Sequence, residues 1–386
     1  MKICFSVSSF PAISQTFVTS QVLYAVRMGY DVTVACKVFD SDTPLSPDAR
    51  DLLDRVRIVV WPPQKPSILR ILPTGIFDRL VARLDRMAWR RKIDSDVVIA
   101  HFGYRGAAVA RAQRGWAKRP LLVTVFHGRD VSVEYQRDQM ARYRDLFADG
   151  DLHLTVNAPF ARQLIDCAAP AERVDTHHLG IPVEHYDFAP PATGKQLRLL
   201  SVSRLVEKKG INVAIDALAL LRESHPEIDW CYDIGGDGPL ETELRQQVEL
   251  AGLQDRIRFL GVLSHDDTLN RISHADVLLV PSVTAHDGDK EGIPVTLMEA
   301  MALGTPVCTT RHSGIPELVT HGETGLLTAE HDAEGLRDNI LALALDTDKA
   351  KVLAAAARRK IERDFNEERQ NAQLLERCQR LSNAIL

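Results

Sequence analysis

The sequence contains no Cys-x-x-Cys pair, no His-Glu-x-x-His, and no Gly-x-Gly-x-x-Gly following a strand-like run. A zinc knuckle, a zinc-hydrolase helix and a nicotinamide fingerprint are thereby unsupported. The six cysteines (Cys4, Cys36, Cys167, Cys231, Cys308, Cys378) are widely scattered, so they read as reduced, mostly buried thiols and not as a disulfide framework. No apolar run approaches the ~20 residues of a membrane helix. The first apolar run is too short for a signal-peptide core and lacks a small-residue cleavage site, so a cytoplasmic location is expected. Low-complexity segments and short repeats are also missing. The net charge of −5 lacks the strongly basic balance of a nucleic-acid binder.

What remains is ordinary globular composition, 45% hydrophobic and 26% charged, over 386 residues. At roughly 100–200 residues per domain this length implies two domains. Residues 1–190 carry a net +4 and residues 191–386 a net −9, as expected of two domains with different partners. Short β-rich apolar runs alternate with segments of helical period. In the first half the strand candidates are 3–7, 32–36, 58–61, 97–101, 121–126 and 152–156. In the second they are 197–202, 230–234, 257–260, 277–280, 307–309 and 325–327. Such alternation predicts an α/β chain whose parallel sheets are covered by helices on both faces. Gly29 stands where a C′ glycine would end the first helix. The run 189–195 contains two prolines and a glycine without periodicity and reads as a linker. The expected domains are 1–190 and 195–365, and a last helix in 366–386 should cross back to the first. In open α/β sheets ligands sit at the C-terminal ends of the strands.

The most informative segment is Lys290-Glu291-Gly292-Ile293-Pro294-Val295-Thr296-Leu297-Met298-Glu299, continuing to Gly304. A loop leads into a helix, with Pro294 suited to its first turn. Loop amides and the positive end of a helix suit a phosphate. Two carboxylates eight apart, Glu291 and Glu299, can reach different hydroxyls of one elongated ligand. The plainer alternative is a solvated Glu291 and a Glu299 paired with a core amide. Arg204 and Lys209 span a strand end and the start of the next helix, where both can converge on a diphosphate. Leaving-group charge of that kind demands cations and amide dipoles.

This segment resembles the E-x7-E signature of family-4 retaining glycosyltransferases. So do Ser201-Val202-Ser203-Arg204-Leu205-Val206-Glu207-Lys208-Lys209-Gly210, Ile234-Gly235-Gly236-Asp237-Gly238-Pro239-Leu240, Phe259-Leu260-Gly261 and Ala275-Asp276-Val277-Leu278-Leu279-Val280-Pro281-Ser282. Weaker counterparts in the first half are Phe10–Val18, His101-Phe102-Gly103 and Phe126-His127-Gly128-Arg129-Asp130. The runs Asp287–Gly292 and Gly180–Glu184 are similar to colanic-acid-type exopolysaccharide enzymes. The resemblance implies the GT-B fold, two facing Rossmann-like domains with a donor/acceptor cleft. It implies a retaining hexosyltransferase that moves a hexose from a nucleotide-diphosphate sugar to a glycan, usually lipid-linked, in exopolysaccharide biosynthesis.

By the same resemblance Arg204 and Lys209 hold the diphosphate, Glu299 the ribose hydroxyls and Glu291 the donor sugar. Amides of Gly292 and Ile293 support the sugar's other oxygens, and Gly235, Gly236 and Gly238 allow the backbone to approach the donor. Only Lys209, and not Lys208, holds the motif position before Gly210. His127, at a strand end, takes the place of the family's catalytic histidine; His101 lies at a similar strand end on the acceptor side. In the first loop Gln15 stands where the exopolysaccharide subgroup commonly has Glu after Ser14, which removes any charged role there; Ser14 or Gln15 capping the first helix is the alternative.

Arg79, Arg83, Arg86 and Arg90 share one face of an amphipathic segment. It can lie against anionic lipid headgroups, giving a peripheral location at the inner membrane face, or form a solvated outer face. The Asp-x-Asp pairs at 40/42, 94/96, 149/151 and 287/289 read as chance in an Asp-rich chain, so neither metal nor other cofactor is expected. A nucleotide-sugar epimerase or hydrolase would need further acids, and a non-catalytic sugar-nucleotide-binding subunit would not need Glu291 for turnover.

Overall fold

The structure is a computed structural model. It describes residues 1–386 except 13–14, 42, 44–46, 63–73, 191–193, 195 and 385–386, together with the side chains of 47–48 and 74–78. The chain divides into two compact units, Met1–Gly180 with Glu368–Leu386, and Ile181–Glu367.

The first unit is built on β1 (Lys2–Phe10), β2 (Asp31–Phe39), β3 (Arg57–Val60), β4 (Val97–His101), β5 (Leu121–Phe126), β6 (Leu152–Thr155) and β7 (Val174–Thr176). They form one sheet in the order β3-β2-β1-β4-β5-β6-β7, and every pairing is parallel. The second unit holds β8 (Leu197–Val202), β9 (Trp230–Gly235), β10 (Ile257–Gly261), β11 (Val277–Val280), β12 (Val307–Thr310) and β13 (Leu326–Thr328), ordered β10-β9-β8-β11-β12-β13 and again parallel. Both are Rossmann-like sheets whose strand order reverses once, between β1 and β4 and between β8 and β11. The crevice outside the strand ends at such a reversal is where ligands bind.

Local sequence explains these elements. The central strands are fully buried, so they read as near-continuous apolar runs, interrupted only by Thr124 in β5 and ended by His101 in β4. The first helix, Thr16–Arg27, ends as expected: Gly29 has φ +80° and its N–H donates to Val26, while Tyr30 N–H reaches Ala25. β7 escapes the sequence reading because none of its three residues is fully buried, Asp175 being exposed between the half-buried Val174 and Thr176. Pro294 lies one position before the helix Val295–Leu303, at its N-cap.

An aspartate precedes β4, β6 and β11, and each accepts an N–H from the neighbouring strand's start. Asp96 accepts from Lys2 at 2.7 Å, Asp151 from Leu122 at 2.7 Å, and Asp276 from Arg198 at 2.7 Å. Two of the Asp-x-Asp pairs are thereby accounted for: Asp94 pairs with Lys2, and Asp149 with Arg114 at 2.7 Å.

The division between units falls at Gly180/Ile181, before the proline-rich run, and part of that run lies outside the described residues. Residues 181–189 are held by the second unit. Ile181 N–H donates to Phe365 at 2.9 Å, Ala189 N–H to Leu303 at 2.9 Å, and the Arg358 guanidinium to the carbonyls of Val183, Tyr186 and Ala302. The last helix, Glu367–Asn383, belongs to the first unit. Leu374, Leu375 and Cys378 pack with Ile3, Phe5 and Val22, and Asn371 donates to Ser20 Oγ at 3.0 Å.

Candidate active site

In the second unit, the loops after the neighbouring strands β8 and β11 are laced together. The β8 loop closes in a short turn, Glu207–Lys209, and Gly210 (φ +63°) opens the helix Ile211–Ser224. A Cβ at Gly210 would lie 1.9 Å from the Pro281 carbonyl oxygen, so only glycine lets these loops meet. Lys208 Nζ reaches Asp289 at 3.2 Å, and Lys209 Nζ reaches Glu291 Oε2 at 3.1 Å. Lys208 also lies 3.5 Å from Glu291 Oε1.

The Glu291 carboxylate is thus buried against two ammonium groups. Burial pushes its carboxyl up, but Lys209 and Lys208 outweigh this and hold it below the usual carboxylate range. The structure therefore brings together Glu291 and Lys209, which the sequence left in separate roles. Lys208, outside the motif position that Lys209 holds, ties the loop through Asp289.

Glu291 is held from behind as well. Its N–H donates to His312 Nε2 at 3.0 Å, and His312 Nδ1 contacts Glu330 at 2.7 Å. Neither partner was legible locally, because they follow two other strands.

Glu299 lies in the helix Val295–Leu303 and is almost fully buried. Burial raises its carboxyl, partly opposed by His265 at 3.9 Å. The Arg204 guanidinium is exposed and has no side-chain partner among the described residues. Leu205 N–H donates to Asp237 at 2.7 Å, seating the glycine turn on the β8 loop. At Gly236 (φ +117°) a Cβ would stand 1.9 Å from Ser203 O, and at Gly238 2.4 Å from Leu205 O. The chain's own backbone at Ser203 and Leu205 makes this close approach. Gly235 meets Leu263 in the same way. Ile293 is a core residue packed with Leu297 and Met298, next to Gly292 on the loop.

In the first unit, His101 ends β4 and His127 follows β5. His101 Nδ1 and His127 Nε2 are 3.0 Å apart, beneath the Phe17 ring, whose centroid is 4.7 Å from that of His127. His127 Nδ1 and His101 Nε2 are buried without partners. Burial lowers His101 to about 3 and His127 well below the imidazole range, with His101 and His177 adding to the latter, so the pair is neutral at pH 7. His177, also lowered to about 3 by burial, is a third member that no motif marked.

Asp130 closes the strand-end motif Phe126-His127-Gly128-Arg129-Asp130. It accepts N–H bonds from Gly103 at 2.7 Å, Gly128 at 2.9 Å and His127 at 3.1 Å, and so ties both histidine loops. Its position three residues after His127 was the available signal.

Gln15 occupies the N-cap position of the first helix, but its side chain makes no cap bond and its Oε1 is buried without a partner. Ser14 lies outside the described residues. Of the basic face, Arg79 and Arg83 are exposed and Arg86 is half-buried. Arg90 is exposed too, but its guanidinium is engaged by the protein, donating to Arg114 O at 2.9 Å and lying over the Trp116 ring. Among the described residues no group of three or more His, Cys, Asp or Glu could hold a metal ion.

Residues 14–185 match the family described as Glycosyltransferase Family 4, and residues 183–360 match Glycosyl transferases group 1. The amylovoran biosynthesis glycosyltransferase AmsK of Erwinia amylovora is 34% identical over 98% of this chain and 100% of its own length. The chain belongs to the family-4 glycosyltransferases. The putative colanic acid biosynthesis glycosyltransferase WcaL of Escherichia coli K12 is likewise 34% identical, over 99% of this chain and all of the relative. This family-4 chain shares its two-domain GT-B fold with HepE of Anabaena, solved in complex with UDP: TM-score 0.73, 22% identity, 97% of this chain and 99% of that one. The lipopolysaccharide outer core galactosyltransferase WaaB aligns at TM-score 0.75 and 18% identity, over 97% and 99% of the chains. The chain is therefore a glycosyltransferase whose full-length relatives serve exopolysaccharide biosynthesis. Among the described residues no helix is long and apolar enough to cross a membrane.

Proposed function

We propose that this glycosyltransferase transfers a hexose from a nucleotide-diphosphate sugar to a glycan, with retention at the anomeric carbon and without a metal. The observation that carries the reading is the Glu291 carboxylate beside Lys209 at 3.1 Å and Lys208 at 3.5 Å, at the strand-order reversal. A loop charged in this way, ahead of a helix N-terminus, suits a diphosphate and the sugar attached to it. Lys209 and Arg204, which has no side-chain partner among the described residues, stabilise the leaving diphosphate, Glu299 binds the ribose hydroxyls and Glu291 a sugar hydroxyl. In the transfer the bond from C1 to the β-phosphate oxygen breaks. The acceptor oxygen bonds to C1 on the same face, and its proton passes to the departing phosphate. His127 and His101, neutral, contribute hydrogen bonds and not charge.

HepE was solved with UDP and, separately, with UDP-glucose, which favours a nucleotide sugar as the donor here. The glycan acceptor of this chain is lipid-linked in this reading, with Arg79 and Arg83 facing anionic headgroups.

A thermal-shift panel of UDP, GDP, ADP and their hexose conjugates tests the donor assignment. A ligand at 100 times its Kd should stabilise the protein by about 2.7 kcal/mol. Stabilisation by one nucleotide series, lost in Glu299→Ala, supports the site; an equal shift in Glu299→Ala would remove Glu299 from it.

A further inference from the structure

His312 has no exposed surface and lies two residues beyond β12, while Glu330 lies two beyond β13, so neighbouring strand ends bring them together. The Glu291 N–H can only donate, so His312 Nε2 accepts at 3.0 Å. The imidazole proton is therefore on Nδ1, and it is donated to Glu330 Oε1 at 2.7 Å. The other carboxylate oxygen of Glu330 accepts the Thr284 N–H at 2.7 Å. This relay grips the loop after β11 at two points, Thr284 and Glu291, leaving neither imidazole nitrogen free for a ligand.

A buried imidazole bonded at both nitrogens is costly to assemble unless its partners are fixed. Packing alone would not require a nitrogen acceptor facing one particular amide. That amide belongs to the residue whose carboxylate meets Lys209. We propose that His312 and Glu330 are positioning residues for sugar transfer: Glu330 selects the imidazole tautomer, and the imidazole sets the backbone from which Glu291 is presented. The proposal rests on the reading of Glu291 as a donor-site residue.

The test is steady-state kinetics of the full chain with the nucleotide sugar that stabilises it, alongside melting temperatures. His312→Gln can place an amide oxygen near the lost Nε2 and still accept from Glu291. His312→Asn can keep the donor to Glu330 but falls short of the Glu291 amide. Misplacing a reacting group by about an ångström costs up to about a hundredfold. We expect kcat for His312→Asn to fall at least about tenfold, and His312→Gln to recover most of it, at similar Tm in the two variants.

A purely structural role would lower both variants' activity in step with Tm, without rescue by Gln, and that pattern overturns the proposal. If His312→Asn does not fold, Glu330→Gln carries the test, assayed well below its own Tm because it also loses the stability that the depressed Glu330 carboxyl contributes at neutral pH: a tenfold loss of kcat there supports the proposal, and an unchanged kcat overturns it. Glu291→Gln is the control. A wild-type rate in Glu291→Gln removes the reading of Glu291, and the proposal with it. Loss in Glu291→Gln with wild-type kcat in both His312 variants overturns the positioning role alone.

Discussion

Replacing Lys209 by Met removes one of the two cations facing the buried Glu291 carboxylate and keeps most of the side-chain stem. At 3.1 Å the pair attracts by about 5 kcal/mol at an effective dielectric of about 20. Most of that offsets the cost of taking both charges out of water. Breaking a fully buried pair from one side costs about 3–5 kcal/mol. Here Lys208 remains at 3.5 Å, though it is shared with Asp289, so the expected loss is about 2 kcal/mol. For a unit of this size that is a drop in Tm of roughly 4–8 °C at pH 7.

The pH dependence has a definite sign. In the wild type the folded pKa of Glu291 is depressed, so its contribution is present above the unfolded value near 4.3 and is lost as pH falls below it. In Lys209→Met burial gains on the remaining cation and the folded pKa rises. The variant then recovers relative stability as the carboxyl protonates on acidification. Calorimetric unfolding at pH 7, 6, 5 and 4 should show the gap narrowing towards pH 4, and the double variant Lys209→Met/Glu291→Gln should recover part of the loss at pH 7. A gap that stays constant or widens on acidification would refute the reasoning.

Glu330, although burial pushes it up, is held at about 2 by the His312 and Thr284 N–H donors, so wild-type stability should fall as pH drops from about 4.3 towards 2, and Glu330→Gln should flatten that limb in a pH series of melts. Gly210→Ala meets both a positive φ and the Pro281 carbonyl and should cost at least about 2 kcal/mol in urea unfolding, whereas Gly252→Ala, at a similar φ with no atom closer than 3.8 Å, should cost only about 1 kcal/mol. Asp130→Ala leaves three N–H groups without their acceptor and should lose about 3 kcal/mol by the same assay, with Asp130→Asn losing less. Transfer should proceed unchanged in EDTA; an activity lost there and restored by a divalent ion would refute the metal-free mechanism.

Much of this molecule is determined by local sequence. Strands such as Val97–His101 and Val277–Val280 read as strands because a parallel sheet buries both of their faces, which leaves a near-continuous apolar run in the chain. The loops bearing Lys209, His127 and Glu291 were legible for a related reason: glycine and polar residues interrupt those runs at strand ends. Local reading failed where burial is partial, as in β7, and where a residue's role depends on a distant partner. The pairing of Lys209 with Glu291 follows from β8 lying beside β11, and the His312–Glu330 relay from β12 lying beside β13. Asp130 joins the ends of β4 and β5 in the same way. Strand order is set by packing over the whole sheet, and side chains remote in sequence meet only once that order exists. The amino-acid pattern thus determined the elements and the loops that carry the chemistry; the tertiary structure decided which charges face each other there.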